Sequence, residues 1–168
     1  AILGGVRIPF CRQNTAYADV GNLGMSVRTL GALVERFGLH GQQLGEVAMG
    51  AVIKHSSDWN LGREAALSSG LSPLTPGITL QRACGTSLDT IIHIGNKIAL
   101  GQIESGIGGG SDTTSEVPIV YGKKLRARLL AANRAKTTQD KLKALVSGFK
   151  FSELKPEFPG VAEPRTGK

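Results

Sequence analysis

The sequence predicts an α/β fold: a layered, mostly parallel sheet with helices on both faces. Two observations support this prediction. Apolar runs of strand length alternate with apolar stripes of helical period, and 23 glycines with only 5% aromatic residues favour close packing of helices on a sheet. The 168 residues, 40% hydrophobic and 20% charged, suffice for one core and exclude two large domains.

A strand and a helix open the predicted fold. Residues 2–10 contain a short apolar run, broken by Pro9, that predicts the first strand. A helix follows, with Asp19 or Asn22 as its N-cap and Gly38 after its last turn. Its apolar residues recur at steps of three and four and share one face: Val20, Leu23, Val27, Leu30, Val34 and Phe37.

A second strand and helix come next. Residues 46–53 are apolar on both alternations, as expected for a strand that is covered on both faces. Asn60 is the expected N-cap of the second helix, and Gly70 follows the end of that helix.

The last two predicted strands flank a third helix. A strand at residues 78–83 leads into a helix that begins near Thr86 or Ser87 and closes at Gly101. Residues 105–112 predict a fourth strand, made mostly of small residues that allow a neighbour to approach closely. The resulting order, β-α-β-α-β-α-β, is typical of a parallel sheet with right-handed crossovers.

The positive charge lies in the last quarter of the chain. Residues 1–122 carry 8 basic and 9 acidic side chains, whereas residues 123–168 carry 12 and 4. The chain therefore divides, near Tyr121 and Gly122, into an α/β domain (residues 1–122) and a basic, largely helical extension (residues 123–168).

Two amphipathic helices are predicted in the extension, with a break near Thr137, which together with Asp140 would cap the second helix. Pro156, Pro159 and Pro164 are expected to end regular structure. Such helices suit an anionic membrane surface, a partner subunit or a nucleic-acid backbone. Nucleic acid is disfavoured because no aromatic residues interleave with the charges. The apolar faces combine Leu125, Leu129 and Ala132 in one helix and Leu142, Leu145, Val146 and Phe149 in the other.

Cys84 is the candidate nucleophile. It follows a predicted strand and precedes a predicted helix, where the unpaired N–H groups of the first turn would favour the thiolate. The Cys84 N–H could stabilise charge on a carbonyl oxygen after attack, and Gly85 leaves room for an acyl group. The alternative is a small core residue without chemistry, which is the commoner role of a free cysteine.

Other site types find little support. Cys11 lies in a polar loop, and two cysteines make no disulfide framework, which favours a reducing compartment. The run from Gly106 to Gly110 does not complete a dinucleotide fingerprint, because Ser111 occupies its last position. No Cys or His pair has metal-ligand spacing, so no metal is expected.

Neither a membrane span nor a signal peptide is expected. The longest uncharged stretch, residues 65–81, contains Pro73 and Pro76. The opening residues, AILGGVRIPF, lack a cationic lead and a cleavage site, and the initial alanine suggests trimming or truncation.

The segment LQRACGTSLDTIIHIGNKI, residues 80–98, resembles the acyl-enzyme motif of the thiolases. Gln81 is its one departure, since a small polar residue is usual there. Three other segments resemble thiolase motifs in order and spacing, namely RIPF, NLGREAALSSGL and GGSDTTS. The stretch EVPIVYGKKLRARLLAANRAKT, residues 116–137, is similar to the fatty-acid-oxidation branch, the 3-ketoacyl-CoA thiolase β-subunits of trifunctional complexes.

This resemblance implies a function in lipid metabolism. It implies that Cys84 accepts an acyl group from 3-ketoacyl-CoA, that acetyl-CoA then leaves, and that a second CoA removes the acyl group. The reverse reaction condenses two acetyl-CoA. Coenzyme A and acyl-CoA are then substrates, and no bound cofactor is implied. The resemblance also implies a homodimer or larger assembly with the strand before Cys84 near the subunit contact, a β-oxidation α-subunit as a further partner, and an extension that covers the active site or contacts membranes.

Three later thiolase motifs are absent from the 168 residues: Asn-Glu-Ala-Phe, the Gly-His-Pro histidine that activates the nucleophile, and the second cysteine in Cys-x-Gly-Gly-Gly. His40, His55 and His93 lie in none of these contexts and are expected to be structural or solvated. The chain thus resembles the N-terminal two-fifths of a thiolase, and the isolated polypeptide is expected to be inactive.

Two rival functions remain at this point. A decarboxylating ketoacyl synthase shares the fold and the cysteine nucleophile, although the basic extension argues against it. The other rival is a noncatalytic binding or scaffold fragment that acts through the extension. The expected location is the cytoplasm, or the mitochondrion in a eukaryote.

Overall fold

The structure, a computed structural model, describes residues 1–157. Within this range it forms two compact units, one of residues 1–117 and one that begins at Pro118. The first unit alternates helices and strands as an α/β fold should, which confirms the predicted class. Its elements are α1 (Asn22–Arg36), β1 (Glu46–Gly50), α2 (Leu61–Ser68), β2 (Gly77–Leu80), α3 (Thr86–Ala99) and β3 (Gly106–Gly108).

The three strands form a parallel sheet in the order β2-β1-β3. All five residues of the central strand β1 are buried, as its continuous apolar pattern predicts. Val47 and Met49 point into a core formed with α1 and α2, whereas Glu46 and Gly50 face α3. Helices therefore cover both faces of the sheet, as expected.

Helix boundaries agree with the sequence patterns except at the start of α1. Gly38, Gly70 and Gly101 follow their helices with positive φ, the conformation that glycine adopts most easily. Asn60 caps α2 through its side-chain oxygen, which accepts from the Arg63 N–H. The predicted cap of α1 was wrong: Gly21 is the N-cap, and Asn22 is a buried residue of the first turn.

Residues 2–10 do not form the predicted first strand. Ile2 and Leu3 are 87% and 86% exposed, and the segment lies near the end of α1, where Arg36 Nη1 donates to the Gly5 carbonyl at 3.3 Å. A strand needs a free sheet edge beside it, and this segment runs along neither β2 nor β3.

The strands are also shorter than predicted. β1 ends at Gly50 rather than Ile53 because the N–H groups of Val52 and Ile53 donate to the Asp112 carboxylate instead of to a neighbouring strand. The pairing of β1 with β2 consequently ends at Leu80, three residues before the predicted end at Ala83.

Glu46 is a buried carboxylate that links β1 to α3. Its oxygens accept hydrogen bonds from Lys97 Nζ at 2.8 Å and from His93 Nε2 at 2.7 Å. Burial raises the pKa of Glu46, but the bonds from Lys97 and His93 outweigh burial and hold the pKa below its ordinary value of 4.5. The ionised form therefore stabilises the fold.

We expect the unfolding free energy to fall as the pH drops below about 4.5, through the lower pKa of folded Glu46, because the unfolded carboxyl takes up its proton more readily. Glu46→Gln should flatten this decline in urea titrations between about pH 3 and pH 7. Glu104→Gln removes an exposed carboxylate and is the matched control. Equal slopes for the native chain and Glu46→Gln would contradict this account.

The second unit contains two short strands and two helices, with a 3-10 turn at Phe151–Leu154 before the last strand. In chain order they are β4 (Val120–Tyr121), α4 (Lys123–Arg134), α5 (Thr138–Val146) and β5 (Pro156–Glu157). Thr137 caps α5 as predicted, since its hydroxyl accepts from the Asp140 N–H at 3.1 Å. Pro156 does not end regular structure: it begins β5, which pairs antiparallel with β4. Pro159 and Pro164 lie outside the described residues.

Arg128 holds the second unit together. Its Nε donates to Glu153 Oε2 at 2.8 Å, and its Nη2 donates to the Gly148 carbonyl at 2.7 Å. The guanidinium thus ties α4 to the turn that follows α5. The assignment of residues 1–122 and 123–168 as functional domains stays a prediction. Over residues 1–157, every helix is too short or too polar to cross a lipid bilayer.

Candidate active site

Cys84 lies in an exposed turn between β2 and α3. The strand ends at Leu80 and the helix begins at Thr86, so the thiol belongs to the connection rather than to the last residue of a strand. The predicted order of strand, cysteine and helix nevertheless holds. The alternative of a core cysteine does not fit an exposed side chain.

Hydrogen bonds within the turn fix its shape. Thr86 Oγ1 donates to the Ala83 carbonyl at 2.7 Å and accepts from the Arg82 N–H at 2.8 Å. The Gly85 N–H donates to the Arg82 carbonyl at 2.9 Å. A single hydroxyl thus connects both sides of the cysteine and holds the shape of the turn.

Ala83, directly before the cysteine, has φ +39°. Residues other than glycine rarely adopt positive φ, so the backbone is strained beside the candidate nucleophile. Two bonds of Thr86 and one of Gly85 hold this conformation in place. Strain at such a position is a common property of functional turns.

The space beside Cys84 is open. A Cβ atom added to Gly85 would meet only the Arg82 carbonyl oxygen, at 3.5 Å. Within residues 1–157, no side chain caps the start of α3. This arrangement leaves room for an acyl group, as predicted, beside the positive end of a helix. That the N–H groups in the first turn of α3 stabilise the Cys84 thiolate stays a prediction.

The sequence patterns did not predict the polar network below this turn. Val52 and Ile53 follow β1, and their N–H groups donate to the Asp112 carboxylate at 2.9 and 2.8 Å. Gln81 Nε2 donates to the Val52 carbonyl at 3.3 Å, and Asn22 Nδ2 donates to the Ile53 carbonyl. Residues so distant in sequence carry no local pattern, and the departure from the thiolase motif at Gln81 was the only available signal.

The three histidines have hydrogen-bonded or exposed side chains, as expected for structural or solvated residues. His93 bonds to Glu46, while exposed His55 bonds to Ser57 Oγ at 3.0 Å. His40 is exposed beside Gly70. Cys11 is exposed and free, and the pKa of Tyr17 is raised, first by burial and then by a hydrogen bond with Cys11.

The glycine-rich segment serves packing. A Cβ atom on Gly108 would lie 2.8 Å from the backbone of Ile91, and one on Gly110 would lie 2.6 Å from Ser87 Oγ. The small residues of this segment therefore let α3 approach the sheet closely, as predicted. In the part of the chain that the structure describes, no three His, Cys, Asp or Glu side chains gather as a metal site would require.

Comparison with known proteins adds the decisive observation: the family model described as "Thiolase, N-terminal domain" matches residues 1–150. The chain belongs to the thiolase family. The thiolase relatives include the 3-ketoacyl-CoA thiolases of Photorhabdus laumondii, 38% identical over 167 residues, and of Vibrio cholerae, 36% identical. Each alignment covers 99% of this chain and 38% of the relative, so the chain spans about two-fifths of these thiolases.

A solved acyltransferase structure has a similar fold. The acetyl-CoA acetyltransferase of Bacillus anthracis aligns with a TM-score of 0.66 and 29% sequence identity, over 70% of this chain and 30% of its own. The resemblance inferred from the motifs is thereby confirmed at the level of family and fold. The comparisons do not identify individual site residues, so the role of Cys84 stays a prediction.

Proposed function

We propose that Cys84 is the acyl-accepting nucleophile of a thiolase, and that this chain is the N-terminal part of an acyl-CoA C-acyltransferase. The observation that carries the proposal is the exposed thiol in a strained turn, ahead of a helix whose start is open. A core cysteine would be sealed from substrate. The thiolase names of the relatives support 3-ketoacyl-CoA as the substrate class.

The proposed acyl transfer follows from the chemistry of a thiol and a thioester. The Cys84 thiolate attacks the carbonyl carbon of acyl-CoA, and the carbonyl oxygen takes negative charge. Backbone N–H groups at the start of α3 are the donors that could stabilise this oxyanion. The C–S bond to CoA then breaks, CoA leaves as its thiolate and takes a proton from water, and the acyl group stays on Cys84 as a thioester.

Cleavage of 3-ketoacyl-CoA requires an acid and a base in addition to the nucleophile. When the bond between its α and β carbons breaks, the departing acetyl-CoA carbanion needs an acid, and the nucleophile needs a base. Within the first unit, His93 bonds to Glu46 and His55 bonds to Ser57, and the turn at residues 81–86 contains no histidine and no second cysteine. We therefore expect this polypeptide alone to accept one acyl group on Cys84, with no turnover and no cleavage of carbon bonds. The test is to incubate the chain with acyl-CoA and to monitor acyl transfer to Cys84 by intact-mass measurement.

A decarboxylating ketoacyl synthase is the weaker enzyme alternative. It would use the same cysteine, but the relatives reported above are thiolases. The whole enzyme determines whether the reaction runs in the degradative or the biosynthetic direction and which acyl-chain length it accepts. The names of the relatives favour the degradative direction.

The basic extension supports a second function, contact with an anionic membrane surface. Leu142, Val146 and Phe151 are 63%, 62% and 84% exposed, and lysines such as Lys141 and Lys143 accompany them. Exposed apolar side chains next to cations suit the headgroup region of a bilayer. A partner subunit, such as a β-oxidation α-subunit, could cover the same residues, and coenzyme A phosphates are a further anionic ligand for the charges.

We expect the chain to sediment with vesicles of anionic phospholipid at low salt and to be released at high salt. Binding should persist in Cys84→Ala and vanish when residues 123–168 are deleted. Neutral vesicles and duplex DNA are the controls. Sedimentation with DNA in preference to anionic vesicles would contradict the membrane proposal.

Assembly and location are further parts of the proposal. A homodimer or larger assembly, with the strand before Cys84 near the contact, follows from the thiolase resemblance. Two free cysteines fit a reducing compartment and support the cytoplasm, or the mitochondrion in a eukaryote.

A further inference from the structure

Two backbone residues after β1 have every polar group bonded to a side chain. Asp112 accepts from the N–H groups of Val52 and Ile53, Gln81 donates to the Val52 carbonyl, and Asn22 donates to the Ile53 carbonyl. Past the end of a strand, such groups lose their ladder partners and usually turn to water. Here three side chains from three separate segments replace the ladder.

These three segments are the start of α1, the residues after β2 and the residues after β3. The dipeptide Val52–Ile53 is therefore fixed relative to each of them, and it serves as a common attachment point at the carboxyl end of the sheet. Gln81 is the one of the three side chains that belongs to the turn leading to Cys84. Its Oε1 also accepts from Lys54 Nζ at 2.8 Å, which gives the turn a second bond to the same loop.

The Cys84 turn has few other side-chain bonds to its surroundings. Its internal hydrogen bonds involve Arg82, Ala83, Gly85 and Thr86, and the ion pair of Arg82 with Asp89 reaches only the helix that follows. The Arg82 side chain is 73% exposed, so solvent weakens that ion pair. The position of the turn against the sheet therefore depends on the end of β2, on α3, whose first residue Thr86 is buried, and on Gln81.

We infer that Gln81 is a positioning residue that holds the Cys84 turn against the loop after β1. A small polar residue, usual at this place in the thiolase motif, has no side chain long enough to bond both Val52 and Lys54. The departure from the motif at Gln81 is therefore what allows these two hydrogen bonds to form. The consequence for the thiol rests on the proposed function, whereas the anchoring itself can be measured independently.

The test compares the native chain with Gln81→Ser and with the matched control Gln102→Ser. Gln102 is exposed and makes no side-chain hydrogen bond to the described residues. Two quantities are measured: amide hydrogen exchange of residues 81–86, and the ratio of the iodoacetamide reaction rates of Cys84 and Cys11. Lys54→Met is a second variant. It removes the bond from Lys54 to Gln81 and leaves the amino-acid sequence of residues 81–86 unchanged.

Gln81→Ser should speed exchange in residues 81–86 roughly threefold and lower the rate ratio roughly tenfold, because the turn loses its anchor to the loop after β1. Lys54→Met should give smaller changes in the same direction, and Gln102→Ser none. An unchanged or increased rate ratio in Gln81→Ser would overturn the positioning role, whatever happens to exchange. Should Cys84 accept no acyl group while both quantities still change as expected, the proposed function fails and the positioning role stands.

Discussion

Replacing Gly108 with alanine is expected to lower the unfolding free energy of the chain by about 3 kcal/mol. A Cβ atom at this position would lie 2.8 Å from both the N and Cα atoms of Ile91 and 2.9 Å from the Thr90 carbonyl carbon. These are backbone atoms of α3, so no side-chain rotation relieves the contact. Either the helix or the strand β3 must move, and the layer of α3 on the sheet loosens.

Gly95→Ala is the matched control, because Gly95 lies in the same helix with nothing within 4 Å of the added atom. Alanine should raise the unfolding free energy there by about 1 kcal/mol through its higher helix propensity. Urea titration of both variants measures the difference. If Gly108→Ala were as stable as the native chain, the close approach of α3 to β3 would be contradicted.

Much of the fold follows from local patterns. The stripe from Val20 to Phe37 and the glycines after each helix predict α1, α2 and α3, because helix periodicity and termination depend on neighbouring residues. Strand ends depend on distant partners instead. Nothing near Val52 indicates that Asp112, sixty residues later, takes its N–H and ends β1. Residues 2–10 show the same limit, since an apolar run becomes a strand only beside a free edge.

The candidate site divides in the same way. Cys84 could be predicted because the handover from strand to helix is local and because the motif around it resembles thiolases. The contacts that hold the turn around Cys84 could not be predicted. Ala83 has a positive φ that its residue type does not favour, and Gln81 bonds to Val52, which lies 29 residues earlier in the sequence. Such contacts arise only when the parallel strands bring their carboxyl ends to one edge of the sheet.

The largest chemical effect is expected at Cys84. With acetyl-CoA, the native chain should gain the mass of one acetyl group on this residue. Cys84→Ser should lower the rate more than about a thousandfold, because a serine hydroxyl without a base is a far weaker nucleophile than a thiolate. Cys11→Ser removes the only other thiol and should keep the adduct. It is therefore the matched control.

The same chain should not cleave acetoacetyl-CoA. With CoA present, no acetyl-CoA should form, because the 168 residues contain no Gly-His-Pro histidine and no second motif cysteine to supply base and acid. Clear turnover that Cys84→Ser abolishes would show that this polypeptide is a complete catalyst and would refute the expected inactivity.

Peptide mapping of the acetylated chain tests the central claim most directly. The account predicts a hydroxylamine-sensitive acetyl thioester on the peptide that contains residue 84, formed at native pH and blocked by prior alkylation of that thiol. A folded chain that leaves residue 84 unmodified by acetyl-CoA, or that acetylates Cys11 instead, would contradict it.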